Sequence, residues 1–267
     1  SFPAASILPH SFKSPISKKL FLSSTLFYHQ LFEHNFPGIH RQIHYEVFSE
    51  VLQSNPTYLP WLPGYTEIPV TGRYFIPHLP DNPLSRAWKS SMFFVDWPTY
   101  WKALLSTFNA LEIPLAIETI DLSQIDSRFA SSEYSLAILA SGSGFEEIHN
   151  KPLSLLKGHL IEISNGPTLR NPDGELFSYN YTPPAKVYST LNGKAQDIYS
   201  YPRSDSMILG GSRIAGHLIE GEWIGDDLLT GYNFIESILD WPFAAIFELN
   251  KILIEHSTNA TIDALQI

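Results

Sequence analysis

The residues with the greatest capacity for chemistry lie between Tyr199 and Ser212, in the run Tyr-Ser-Tyr-Pro-Arg-Ser-Asp-Ser-Met-Ile-Leu-Gly-Gly-Ser. Tyr199 and Tyr201 are two apart, so on a strand both project to one face. Arg203 falls in the following turn, where a guanidinium could pair with a carboxylate or simply face solvent. The second strand ends in Gly210-Gly211, which permits close backbone approach by a ligand or by another strand. The segment reads either as a ligand-facing hairpin or as a hairpin that packs its own tyrosine pair.

Other constellations fall short of a mechanism. Gly142-Ser143-Gly144 follows an apolar stretch, where a dinucleotide-binding turn would begin. Glu147 stands in place of the third glycine with Glu146 beside it, and carboxylates there would repel a pyrophosphate. The turn reads as a tight strand-to-loop connection. His29, His34, His40 and His44 are clustered, and His40 and His44 are four apart. No glutamate stands between them in the helical zinc-protease arrangement, and Pro37-Gly38 interrupts any long helix, so packed or exposed histidines are the reading and no metal is expected. Neither Gly142-Ser143-Gly144 nor Gly210-Gly211-Ser212 has the spacing of a serine-hydrolase elbow. Glu146/Glu147, Glu220/Glu222 and Asp226/Asp227 read as solvated charge.

The elements that must position these residues follow from periodicity. Ser14 to about Asn35 is a helix, capped by Ser17 and ended by Asn35 to Gly38, with Leu20, Leu22, Leu26, Phe27, Leu31 and Phe32 at helical spacing. Glu46 to Leu52 is a strand or a short helix. Ser54 to Pro69 carries four prolines and reads as an irregular excursion anchored by Tyr58, Trp61 and Tyr65. Arg73–Ile76 and Ser90–Val95 read as strands. Asp96 is placed to cap a helix with Pro98 in its first turn, and Tyr100, Trp101, Leu104, Leu105, Phe108 and Leu111 form its apolar stripe. Leu115–Ile120 and Tyr134–Ala140 read as buried strands, and His159–Ile163 as a short one. Ile198–Tyr201 and Met207–Leu209 form a hairpin. Phe243–Ile254 is a helix that buries Ile246, Phe247, Leu249, Leu253 and Ile254. The sum is an α+β (mixed α/β) chain: strand–helix–strand over 93–140 suggests a parallel layer, and the remainder an antiparallel sheet.

Composition narrows the class. The 267 residues carry a net charge of −10, which argues against a nucleic-acid or anionic-membrane partner. With 44% apolar residues the chain can bury a large core. The absence of cysteine excludes disulfides, thiolate metal sites and a cysteine nucleophile, and is compatible with a reducing cytosol. Apolar runs such as Ile113–Ile117 are far shorter than a membrane span. The opening residues have neither a basic segment nor an apolar one of the signal-peptide kind, so a cytoplasmic location is expected.

Six segments, taken in order, resemble the D-amino-acid oxidase/glycine oxidase family of FAD-dependent flavoproteins. Ala4-Ala5-Ser6-Ile7-Leu8-Pro9 is similar to the family's Ala-Ala-Gly loop beside the flavin. Ser90–Leu105 is similar to the strand and Asp-x-x-x-Tyr-x-x-x-Leu ahead of its first long returning helix. Ile113–Ile117 takes the place of the strand that follows. Leu136–Gly144 resembles the apolar strand that closes on FAD, and Lys157-Gly158-His159-Leu160 resembles its Arg-Gly-Gln motif. Tyr199–Gly211 resembles the hairpin Tyr-x-x-Pro-Arg/Gly, apolar strand, Leu-Gly-Gly.

The resemblance implies an antiparallel-rich substrate-binding sheet with part of a Rossmann-like FAD-binding layer. The implied divisions are 1–45 (loop and helix facing the FAD domain), 46–95 and 151–242 (substrate domain), 96–150 (FAD-domain helix and strands) and 243–267 (returning helix). It implies hydride transfer from the carbon beside nitrogen of a small amino acid or amine to the flavin. Tyr199, Tyr201 and Arg203 would bind substrate; Ala4, Ala5, Ser6, Ser141 and Gly142 would contact FAD; no side chain is singled out as catalytic. The departures are equally specific. The family's opening Gly-x-Gly-x-x-Gly and its later Gly-x-Arg and glycine-rich loop have no counterpart here. Ser6 stands for a glycine, Ser141 for a threonine, and Lys157 and His159 for Arg and Gln. The match therefore implies the central portion of such an enzyme, inactive alone. The competing expectations are a flavin-free relative or isolated domain acting as a binding module, or an aromatic recognition surface over 58–101 built on Trp61, Trp88, Trp97 and Trp101.

Overall fold

Two strands explain the architecture, because each alternates between two kinds of side chain. In β2 (Ile39–Phe48) the odd positions Ile43, Tyr45 and Val47 project to one face, and His40, Gln42, His44 and Glu46 to the other. In β6 (Phe177–Thr182) Phe177, Tyr179 and Tyr181 alternate with Ser178, Asn180 and Thr182. The two strands run parallel, with Tyr45 beside Tyr179, His44 beside Ser178 and Glu46 beside Asn180. One face at the centre of the sheet is thus apolar and the other polar, and both are largely buried.

This computed structural model describes residues 5–9, 14–52, 54–116, 136, 138, 155–219, 222–225, 228–230, 241–258 and 260–262. Around β2 and β6 stand β1 (Ala5–Ser6), β3 (Thr66–Ile68), β4 (Arg86–Val95), β5 (Leu155–Ser164), β8 (Ile198–Pro202), β9 (Ser206–Ile219) and β10 (Glu222–Gly225). The order is β1-β4-β2-β6-β8-β9-β10, with β3 also on β4 and β5 also on β9. Every described pair except β2/β6 is antiparallel. β7 (Tyr188–Thr190) and β11 (Leu228–Thr230) form a separate antiparallel pair. With α1 (Ser17–Glu33), α2 (Trp97–Ala110) and α3 (Trp241–Ser257), the fold is α+β, a mixed sheet of mostly antiparallel strands with three helices among the described residues.

The apolar face is the main core. Tyr45, Val47, Phe177, Tyr179, Tyr181, Ile198 and Leu209 pack there against Ala245, Ile246, Leu249, Leu253 and Ile254 of α3. Each fully buried side chain of this size contributes roughly 1.5–3 kcal/mol relative to exposure. The α3 face expected from periodicity is the face it buries. Asn250 is the polar exception: its Oδ1 accepts the Tyr179 hydroxyl at 2.8 Å and its Nδ2 donates to the Ile246 carbonyl at 2.7 Å.

The adjacent glycines of β9 serve opposite faces. A Cβ on Gly211 would meet Ile246 Cγ1 at 3.1 Å and the Asp197 carbonyl at 2.9 Å, so glycine lets α3 approach the sheet. A Cβ on Gly210 would lie 2.1 Å from Cε2 and Cζ of Tyr199, its registered partner on β8. The room left by Gly210 is filled by the chain's own tyrosine ring.

Helices α1 and α2 pack near the β1–β4 side. Tyr28, Leu31 and Phe32 of α1 and Trp97 and Leu104 of α2 pack on the cluster of Ile39, Phe93, Val95 and Tyr100. Several expectations for these helices are corrected. Leu20, Leu22, Leu26 and Phe27 are exposed, and Phe21 is the buried apolar residue of the first turns, because the helix offers the sheet a narrower stripe than its apolar content suggests. Ile16 occupies the N-cap; Ser17 lies inside the helix, and its Oγ accepts the Ser14 amide at 2.8 Å. Asp96 does stand at the N-cap of α2, but its carboxylate makes no bond to the helix backbone. Its Oδ2 instead accepts the Ser204 amide and hydroxyl and the Thr99 hydroxyl, tying α2 to the β8–β9 turn.

Further differences concern strands. Residues 39–48 form one ten-residue strand, longer than periodicity indicated and beginning at Ile39. Arg73–Ile76 forms no strand, although Phe75 and Ile76 still pack on the core. Leu115, Ala116, Leu136 and Ile138 are exposed and outside strands; the remaining residues of the expected strands 115–120 and 134–140, and with them the pairing expected for a parallel layer, lie outside the described residues. Among the described residues, no helix is long and apolar enough to cross a membrane.

Candidate functional site

The polar face of the sheet carries a buried hydrogen-bonded network drawn from three strands. Glu46 Oε1 accepts Asn180 Nδ2 at 2.9 Å and lies 3.3 Å from His44 Nε2. The neutral tautomer that donates from Nε2 leaves His44 Nδ1 to accept the Ser178 hydroxyl at 2.9 Å. Asn180 Oδ1 accepts the Tyr201 hydroxyl at 3.0 Å. The Ser6 side chain lies near the Tyr201 hydroxyl and lowers its pKa against the effect of burial. Its ring stacks on His44 and on Phe94, nearly parallel to both, with centroids 5.9 and 5.7 Å away. Burial raises the Tyr201 pKa well above the ordinary phenol value, so it remains a neutral hydrogen-bonding group.

Beside this network lies a cavity of about 670 Å³. That is within the range of small-molecule sites. Glu46, Phe48 and Asn180 line it from the sheet, Tyr58 and Trp61 from the proline-rich excursion, and Asp197 and Arg213 from the flanks of the hairpin. Asp197 Oδ1 accepts the Thr182 hydroxyl at 2.7 Å, and Asp197 Oδ2 lies 3.4 Å from Arg213 Nη2. The excursion is held by packing: Tyr58, Trp61 and Tyr65 rest on the cluster of Phe21, Leu59, Leu62, Trp88 and Met92, as their reading as anchors anticipated. Burial raises the pKa of Tyr58, the Glu46 charge adds to the rise, and Arg213 opposes it. Neither Tyr199 nor Tyr201 lines the cavity; the Tyr199 pKa is pushed up to about 12 by burial, with Arg213 lowering and Asp197 raising the value.

The residues expected to meet substrate are thereby distributed over two places. Tyr199 and Tyr201 share the polar face, as their spacing requires, with ring centroids 5.3 Å apart. Arg203 lies in the turn beyond. Its side chain is 1% exposed and its Nη1 is 2.8 Å from Glu162 Oε1, so the carboxylate it engages belongs to the protein; it does not line the cavity. Of the residues expected to contact FAD, Ser6 reaches Tyr201, and Ala5 pairs with Val95 at the start of β1. Ala4, Ser141 and Gly142 lie outside the described residues.

Reading the sequence missed Glu46, Asn180, Asp197 and Arg213. The strict alternation of Ile-His-Arg-Gln-Ile-His-Tyr-Glu-Val-Phe and Phe-Ser-Tyr-Asn-Tyr-Thr was the available signal for the first two, since it marks strands with one polar and one apolar face. Asp197 and Arg213 carry no such mark. Among the described residues, no three His, Asp or Glu side chains come together as metal ligands; of the clustered histidines, His29 lies on α1, His34 at its C-cap, and His40 and His44 on β2. No protein-family model matches the chain, and no curated protein matches it.

Proposed function

We propose that this chain forms the substrate-binding sheet of an FAD-dependent oxidoreductase of the D-amino-acid oxidase type, oxidising the C–N bond of a small amino acid or amine in the cytoplasm. One observation carries the reading. The two segments that the resemblance assigns to opposite sides of one reaction centre, the loop at Ser6 and the hairpin at Tyr201, lie side by side although they are far apart in sequence. The adjoining cavity supports the same reading, because it supplies a partly polar space for a small substrate.

The described residues fit the substrate side of such an enzyme and not the phosphates of FAD. α1 begins behind Pro15 and Ile16, and α2 begins behind the buried Asp96 carboxylate, which would repel a phosphate. The dinucleotide is therefore assigned to residues other than those described. This chain's own contribution is to orient: Asn180 accepts from and fixes the Tyr201 hydroxyl, and Gly210 makes room for the Tyr199 ring on the polar face. Tyr58 and Trp61 wall the cavity.

The test uses the full-length gene product. Protein purified yellow, whose flavin band bleaches anaerobically with an amino acid or amine, is the expected result. Colourless protein that takes up no added FAD overturns the reading. Tyr199→Phe is expected to change substrate affinity or turnover.

A further inference from the structure

Glu46 presents one oxygen to the cavity. The residue is only 6% exposed, yet it lines the cavity. Its Oε1 is satisfied by Asn180 and His44, whereas Oε2 has no hydrogen bond among the described residues. That oxygen is not enclosed but opens on the cavity, so a ligand that displaces its water without bringing a donor would leave a carboxylate oxygen unpaired. The other two charged residues of the lining, Asp197 and Arg213, face each other at 3.4 Å, and Thr182 donates to Asp197. Their charges offset, which leaves Glu46 to set the sign of the cavity.

We propose that this cavity is a subsite for an organic cation, receiving the ammonium or guanidinium end of a substrate side chain at Glu46 Oε2. Such a group brings the charged N–H donor that the carboxylate lacks, and a charge-assisted bond is the stronger kind. Tyr58 and Trp61 stand in the same wall, and aromatic rings attract organic cations. An acidic side chain would be repelled by Glu46. A neutral alkyl chain would fill the space but leave Oε2 unpaired. The inference rests on the reading of this cavity as the substrate cavity, but recognition of a cation does not require turnover.

Titration calorimetry on the full-length protein tests it with D-lysine, the acetylated N6-acetyl-D-lysine, the uncharged D-norleucine and the acidic D-glutamate. D-lysine is expected to bind tenfold or more tightly than either neutral compound, and D-glutamate most weakly. Glu46→Gln, which keeps the shape of the side chain, is expected to erase the preference for D-lysine. Equal affinity for D-lysine and D-norleucine in the unaltered protein, or binding of neither, overturns the proposal whether or not the variant folds. Selective D-lysine binding by a protein that takes up no FAD keeps this inference and removes the oxidase reading. Oxidation of neutral amino acids as readily as D-lysine does the reverse.

Discussion

The two faces of the central sheet are built from the same strands and buried to similar extents, yet they are organised by different forces. On the α3 side, Tyr45, Val47, Phe177 and Tyr179 meet aliphatic helix residues, and shape complementarity sets the geometry. On the opposite side, Ser178, His44, Glu46, Asn180 and Tyr201 are linked through directed bonds beside a cavity. A packed apolar face stabilises in proportion to what it hides. A buried polar face stabilises only if each group finds its partner, and so it fixes orientations more than it adds stability. That division suits a sheet whose one side carries the fold and whose other side receives a small molecule.

The largest expected effect breaks the first face. Phe177→Ala removes a fully buried ring packed edge-on against Tyr45 and Phe75, with centroids 5.6 and 5.2 Å away. A loss of about 3–5 kcal/mol in urea unfolding is expected. Ligand affinity of the folded fraction should stay unchanged, and a variant as stable as the parent would contradict the weight given to this face.

Gly210→Ala probes the other face from beneath. The added methyl occupies the position of the Tyr199 ring, and overpacking of this kind costs roughly 1–3 kcal/mol. Tyr199→Ala in the same chain should recover much of the loss. Strictly additive effects of the two substitutions in a double-mutant cycle would show that the ring does not depend on the glycine.

Tyr201→Phe keeps the ring stack but deprives Asn180 Oδ1 of its donor, and a loss of about 1–2 kcal/mol is expected from an unpaired buried acceptor. Retained stability would mean that the network contributes orientation alone.

Alkaline pH distinguishes the faces more gently. The Tyr199 pKa rises from 10.0 to about 12 on folding, so the folded chain holds this proton more tightly than the unfolded one. Its stabilising contribution is complete below pH 10 and declines as pH climbs toward 12. Tyr199→Phe should flatten that part of a stability-against-pH curve; an unaltered slope would remove Tyr199 as a source.

The smallest effect belongs to neither face. His29 and Glu33 lie 3.8 Å apart on α1 with both side chains more than half exposed. Glu33→Ala should shift stability by no more than about 0.5 kcal/mol. A larger change would mean that α1 carries a role outside the two-face scheme.

Local patterns disclosed much of the fold. The helical stripe of Phe243–Ile254, the Pro98 start of α2 and the turn-flanked strands at 198–209 are short-range signals, and each corresponds to an element in place. They are legible because a helix or hairpin is shaped by residues a few positions apart. Exposure on α1 was misjudged because apolar content does not say which stripe a neighbour covers: Leu22 and Leu26 fit the helical period as well as Tyr28 and Leu31, but only the latter find Phe93 or its neighbours.

The site was less legible. Tyr199 and Tyr201 were recognisable from spacing two on a strand. Their significance depends on Ser6, Glu46 and Asn180, which come from β1, β2 and β6, and on Gly210 clearing room from β9. Arg203 stood in the expected turn, but only the packing of β5 against β9 reveals that Glu162 occupies its guanidinium. By itself the amino-acid sequence determined the alternation that gives β2 and β6 one polar and one apolar side, and hence that a buried polar surface would exist. Tertiary structure decided which polar groups share it and which carboxylate oxygen stays without a donor, because partners from remote strands are chosen by sheet order and register, and neither is encoded in a short-range pattern.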